Sequence, residues 1–165
     1  MPVFYLDTSA IVKRYRREKG TEIIDQLLVD PGEADRFYTS FLSVLELTSA
    51  ITRLSKAGEL SKSVASELLA RFHEDTEQQF RIWPVDDEII GSAISMSKEH
   101  ALRSADAIHL ATAVTISSLL PGANTALVSS DRELIKAAEA RHLVTIDPLE
   151  KNASGRLSEF RRAPR

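Results

Sequence analysis

The chain reads as a three-layer α/β/α domain with a central, mainly parallel sheet of four or five strands. Three observations predict this. Short apolar or alternating runs recur between helix-length segments that each carry an apolar stripe, which is the pattern of strands alternating with helices that cover both faces of a sheet. A length of 165 residues suits one domain with a substantial core. Four acidic residues, Asp7, Glu46, Asp106 and Asp131, fall where an open parallel sheet gathers its ligand-binding groups. Two stand at the carboxyl ends of predicted strands, and two in predicted helices able to lean over those ends.

Val3-Phe4-Tyr5-Leu6 is a short buried strand, and Ser9 is placed to cap the helix that follows. A second helix is expected over residues 21–29, where Ile23, Ile24, Leu27 and Leu28 form one stripe before the Pro31-Gly32 stop. Residues 36–39 make a second strand. Leu42, Leu45, Leu47, Ile51 and Leu54 then recur at broadly helical spacing until Gly58, and residues 61–75 supply an antiparallel partner helix.

Phe80-Arg81-Ile82-Trp83 alternates before Pro84 as a third strand, with Trp83 as a core anchor. Helices follow over residues 87–100 and 104–119, where Ala101, Ala105, Ala107, Ala111 and Ala113 permit close helix packing. Residues 125–129 form a fourth strand, 132–140 a helix and 143–146 a short fifth strand. Beyond Pro148, the run Asn152-Ala153-Ser154-Gly155 interrupts any packing pattern, so residues 148–165 are expected to be a basic C-terminal tail.

With 43% hydrophobic and 27% charged residues the composition is that of a soluble globular protein, and no apolar run approaches the roughly 18 residues of a membrane span. The first residues lack a basic segment followed by a long apolar one, so a cytoplasmic location is expected. Cysteine is absent, which excludes disulfides, thiolate metal sites and cysteine nucleophiles. The net charge of −3 is unevenly spread. Between Lys13 and Lys19 five basic residues face Glu18 alone, and from Lys151 onward Lys151, Arg156, Arg161, Arg162 and Arg165 face Glu159 alone. Basic edges on an acidic body would let Lys13, Arg14, Arg16 and Arg17 hold the phosphates of a polyanion without neutralising an acidic site. A solvated helix face and a loose tail are the alternative.

Carboxylates crowded together raise one another's pKa, so a cluster persists where a cation or shared proton offsets the repulsion. Hard oxygen ligands of this kind suit Mg²⁺ or Mn²⁺. Each acid also has a local explanation. Asp7 could start an Asx-turn or cap a helix, Asp131 could cap residues 132–140, Asp106 could favour the positive end of its helix, and Glu46 could be a solvated helix position. Their joint placement favours a site, because four unrelated caps need not coincide where one fold converges them. His109 lies three residues after Asp106 between Ile108 and Leu110 and is expected to be a structural or surface histidine.

Leu6-Asp7-Thr8-Ser9-Ala10-Ile11-Val12-Lys13, the segment from Ser40 to Glu46-Leu47, Ser104-Ala105-Asp106-Ala107-Ile108-His109-Leu110-Ala111, and Val128-Ser129-Ser130-Asp131-Arg132-Glu133-Leu134 resemble, in order and spacing, the motifs of PIN-domain ribonucleases. Among these the chain is most similar to the VapC-type toxins of bacterial and archaeal toxin–antitoxin pairs. The resemblance covers residues 3 to about 147, and so implies a nuclease domain over residues 1–147. It implies a metal-dependent endoribonuclease in which Asp7, Glu46, Asp106 and Asp131 are catalytic and hold one or two Mg²⁺ or Mn²⁺ ions. Glu46 would act as a direct ligand or by orienting and deprotonating a water. Ser9 and Ser129 match positions where the family often carries hydroxyls that orient a carboxylate. A homodimer, an RNA substrate and a VapB-type antitoxin whose C-terminal segment lies across the acidic groove are implied as well. Receiver domains want an acidic pair near the first strand, and haloacid-dehalogenase-type phosphatases want Asp-x-Asp after it; neither pattern is present at Asp7-Thr8-Ser9. A catalytically silent PIN-like module that binds RNA or protein is the remaining rival.

Overall fold

The structure is a computed structural model and describes residues 1–120 and 122–163; Arg165 of the expected basic tail lies outside the described residues. The strands are β1 (Pro2–Leu6), β2 (Arg36–Ser40), β3 (Phe80–Trp83), β4 (Asn124–Val128) and β5 (Val144–Ile146). The helices are α1 (Thr8–Tyr15), α2 (Thr21–Leu28), α3 (Phe41–Lys56), α4 (Lys62–Gln78), α5 (Asp87–His100), α6 (Ser104–Leu119), α7 (Arg132–Ala140) and α8 (Ala153–Arg162). The sheet has five strands in the order β3-β2-β1-β4-β5, and every pairing is parallel.

This order puts the first strand at the centre. From β1 the chain moves outward through β2 to β3, then returns to β4 on the other side of β1 and continues to β5. The reversal between β1 and β4 opens a crevice at their carboxyl ends, where doubly wound sheets bind ligands. Asp7 directly follows β1, and Ser129 directly follows β4.

Strand alternation divides the core into two layers. Phe4 and Leu6 of β1 pack with Ile11, Ile24, Leu27, Leu47, Ile51 and Phe72 from α1 to α4. Val3 and Tyr5 face the opposite side, with Ile89, Leu110, Ile116 and Leu134 from α5, α6 and α7. Both layers are apolar because a strand buried on two faces has no solvated side. Trp83 is partly buried against the second layer, its ring 6.2 Å from that of Tyr38, as an anchor should be. Ala107, Ala111 and Ala113 are fully buried along α6, whereas Ala101 ends α5 in the left-handed region at φ 55° and takes no part in packing.

Two expectations are overturned. Ser9 does not cap α1; Asp7 does, its Oδ1 accepting from the Ala10 N–H at 2.9 Å. The segment after Pro148 is not a loose tail but carries α8, which buries Ala153, Leu157 and Phe160. These three recur at helical spacing, and Leu157 and Phe160 seat the helix on the first core layer, where the Phe160 ring meets Phe4 edge-on at 5.2 Å. Arg161 then pairs at 2.8 Å with Asp35, whose side chain is 2% exposed. No helix among the described residues is long and apolar enough to cross a membrane.

Candidate active site

Asp7 is the centre of the site. It is 3% exposed, and its carboxylate is bound on both oxygens. Ser9 Oγ donates to Oδ1 at 2.8 Å and lies 2.9 Å from Oδ2, and Ser129 Oγ donates to Oδ2 at 2.8 Å. The same two hydroxyls accept from the backbone beyond β4: Ser9 from Ser130 N–H at 2.8 Å and Ser129 from Asp131 N–H at 3.0 Å. The serines therefore tie the end of β1 to the end of β4 and fix Asp7 between them. Burial pushes the Asp7 carboxyl above its usual range, against the bonds it accepts from Ser129, Ala10 and Ser9.

Asp131 caps α7, with Oδ1 accepting from the N–H groups of Glu133 at 2.9 Å and Leu134 at 3.0 Å. Asp106 lies in the first turn of α6, half-buried. Its pKa is raised, first by burial and then by Asp131 and Asp7, with Arg103 pulling the other way. The local roles as caps and first-turn acids are thus all realised, and Asp131 and Asp7 still act on Asp106. Capping and site-building are compatible because a cap uses one oxygen and leaves the charge in place. As the side chains stand, no three of His, Cys, Asp or Glu among the described residues are close enough to form a ready-made cation site. The coupling of Asp106 to Asp131 and Asp7 is a longer-range repulsion.

Glu46 approaches from α3, with about a third of its side chain exposed. Its Oε2 accepts from Thr8 Oγ1 and lies 3.2 Å from His109 Nε2. The bond from His109, and after it the one from Thr8, hold the Glu46 carboxyl below its usual range against the opposing effect of burial. His109 itself is 2% exposed, so it is not a surface histidine. Neither Thr8 nor His109 is among the residues expected in the site. The signal that finds the histidine is the spacing of Asp106 and His109 on α6: residues three apart share a helix face, whereas the flanking Ile108 and Leu110 point elsewhere.

The basic stretch divides. Lys13 is buried and paired with Glu18 at 2.6 Å, and Arg14 lies 3.5 Å from Asp75 and 3.6 Å from Asp25. These two cations are engaged within the chain, which removes them from the set expected to meet RNA. Arg16 and Arg17 follow the end of α1 and are exposed.

The chemistry open to this arrangement is that of hard oxygen donors. Asp7 and Asp131 follow strand ends, Asp106 and Glu46 stand on helices of the two layers, and the charges of Asp131 and Asp7 both act on Asp106. Such a donor set fits Mg²⁺ or Mn²⁺, which accept oxygen ligands and relieve the repulsion.

The family model of the PIN domain matches residues 4–140. Ribonuclease VapC35 of Mycobacterium tuberculosis is 39% identical over 146 residues, covering 88% of this chain and 97% of that protein. The crystal structure of PAE2754 from Pyrobaculum aerophilum aligns with a TM-score of 0.64 at 18% identity, covering 94% of this chain and 95% of that one. The structure of VapBC-1 from nontypeable Haemophilus influenzae aligns with a TM-score of 0.61 at 16% identity, covering 90% and 99%. The matched span begins within β1 and closes at the end of α7, so it contains every acid of the crevice. On this match and the near-full-length likeness to VapC35, the chain belongs to the PIN-domain family and, within it, to the VapC ribonucleases.

Proposed function

We propose that this chain is an endoribonuclease of the VapC toxin type, hydrolysing RNA phosphodiester bonds with Mg²⁺ or Mn²⁺ held by Asp7, Asp106 and Asp131. The observation that carries this reading is Asp7 held at the end of β1 by Ser9 and Ser129, which also bind the backbone of Ser130 and Asp131 beyond β4, in a chain of the VapC ribonuclease family. A divalent cation held by these residues would supply neutralisation of the charge building on the phosphate oxygens and activation of water near neutral pH.

The chain's own residues do the rest. Asp7, fixed by Ser9 and Ser129, presents a carboxylate that needs no reorientation when substrate arrives. Asp131 caps α7 with Oδ1, while its Oδ2 has no hydrogen-bond partner among the described residues. Glu46, held ionised by its bonds, is better suited to orient water or a cation than to take up a proton near neutral pH. Arg16 and Arg17 steer the RNA backbone toward the acidic crevice.

A VapB-type antitoxin would hold the enzyme silent in the cytoplasm, and a VapBC structure, that from Haemophilus influenzae, is among the folds this chain resembles. An apolar groove of about 460 Å³ between α1, α3 and α4, lined by Val12, Leu47, Ile51 and Leu68 and bordered by Arg16 and Arg17, offers its C-terminal segment a seat beside the site. A homodimer, expected from the resemblance, stays part of this proposal. The test is cleavage of single-stranded RNA in Mg²⁺ or Mn²⁺ by wild type, Asp7→Asn, Asp106→Asn and Asp131→Asn, each checked for a native circular dichroism spectrum. Cleavage is expected in wild type only and is expected to stop in chelator. Full activity in chelator or in all three variants overturns the metal-nuclease reading and leaves a binding module.

A further inference from the structure

We propose that His109 is a positioning residue that aims Glu46 through its Nε2–H, and that Tyr5 holds the imidazole in the tautomer this requires. The inference rests on the ribonuclease reading. His109 joins groups from three elements: its Nδ1 is 2.8 Å from the Tyr5 hydroxyl on β1, and its Nε2 is 3.2 Å from Glu46 Oε2 on α3. Both partners fix the protons. An ionised carboxylate only accepts, so the nitrogen facing Glu46 carries hydrogen. The Tyr5 phenol is fully buried and 2.8 Å from the ring's other nitrogen, and a phenol carries its proton near neutral pH, so it donates to Nδ1.

The consequence falls on Glu46. Its side chain is long, a third exposed and free to sample several rotamers from the surface of α3. His109 and Thr8 both donate to Oε2, so that oxygen is occupied and Oε1 is the one without a partner among the described residues. Tyr5 and Asp7 lie two residues apart on one continuous segment. The first strand therefore sets Asp7 directly and Glu46 through the imidazole. The bond between His109 and Glu46 also spans the two helical layers over the end of the sheet, since α3 packs in one and α6 in the other.

The test uses three variants of the full chain. His109→Leu keeps bulk without a donor, and its kcat on single-stranded RNA is expected to fall about 10–100-fold, the usual loss when the partner that orients a ligand is removed. KM should hold. His109→Gln, whose amide nitrogen reaches a position close to Nε2, is expected to recover most of that loss. Tyr5→Phe, which frees the tautomer, should fall between. Nitrogen-15 NMR of the imidazole reads the network without activity: hydrogen on Nε2 alone in wild type, and a mixture in Tyr5→Phe. Should His109→Leu fail to fold, the Gln and Phe variants with the NMR signature carry the test. Wild-type kcat in His109→Leu, or hydrogen on Nδ1 in wild type, overturns the inference. A wild type that does not cleave RNA sinks the ribonuclease reading instead, and the tautomer still decides the network.

Discussion

Asp7 has two jobs, and two substitutions separate them. As the cap of α1 its Oδ1 accepts from Ala10 N–H at 2.9 Å; as a carboxylate 3% exposed it carries a charge that burial penalises. Asp7→Asn keeps an oxygen for Ala10 and removes the charge. Asp7→Ala removes both and leaves the Ser9 and Ser129 hydroxyls without their acceptor. Loss of such a cap costs about 1 kcal/mol, and each kcal/mol moves the midpoint of a domain this size by about 2–4 °C. In chelator the Ala variant should therefore melt about 2–4 °C below wild type, and the Asn variant at or above it. Mg²⁺ at 100 times its dissociation constant stabilises a one-site protein by about 2.7 kcal/mol, or about 5–11 °C here. Wild type should show that rise by differential scanning calorimetry, and Asp7→Asn far less of it. An Asn variant that melts as low as the Ala variant in chelator, yet rises as far as wild type with metal, would refute the reasoning and leave Asp7 as a cap alone.

Three further outcomes follow from other parts of the molecule. Asp7 and Asp106 sit above their ordinary 3.8, so the stability they contribute is complete below that value and lost as pH rises through their folded pKa values; Glu46 sits below 4.5 and loses its contribution only as pH falls. The metal-free midpoint should thus drift down as pH climbs past about 4, less steeply in Asp7→Asn, and an equal slope in both proteins would contradict the assignment. Neutralising Arg16 and Arg17 should flatten the salt dependence of RNA binding by about 0.7 for each phosphate the protein no longer neutralises, whereas Lys13→Met should lower the melting midpoint and leave the salt slope alone; the reverse pattern would return Lys13 to the RNA surface. Leu157→Ala and Phe160→Ala should each cost about 2–5 kcal/mol in chemical denaturation, and the absence of any loss would mean that α8 does not belong to the core.

Much of this architecture is written locally. Pro-bounded alternation marks β3, apolar spacing marks α2, α3 and α6, and the placement of Asp7 and Asp131 after apolar runs marks the crevice. What escapes a local reading depends on distance along the chain or on the choice of period. The pairing of Arg14 with Asp75 and of Arg161 with Asp35 joins residues far apart in sequence, and no local pattern distinguishes an ion-paired arginine from a free one. Helix α8 is obscured by Ser154 and Gly155, though Ala153, Leu157 and Phe160 keep a helical stripe through them. The immediate neighbours of His109 suggest a merely structural histidine, but in a helix they point to other faces; its neighbours at three and four residues are Ala105, Asp106, Thr112 and Ala113, and Asp106 among them leads to the site. Hydroxyls cap well, which favours Ser9 for α1, but a carboxylate two residues earlier has the same ability and the better position.

The most direct measurement of the central claim is the chemistry of the cut ends. Hydrolysis by water with the 3′-oxygen leaving gives a 5′-phosphate and a 3′-hydroxyl, whereas attack by the neighbouring 2′-hydroxyl needs no cation and gives a 2′,3′-cyclic phosphate. End analysis of a labelled single-stranded RNA cut by the wild-type chain in Mg²⁺ should show 5′-phosphate and 3′-hydroxyl ends that vanish in chelator and in Asp106→Asn. Cyclic phosphate ends that persist in chelator would contradict a carboxylate-held cation at the β1–β4 crevice as the source of activity.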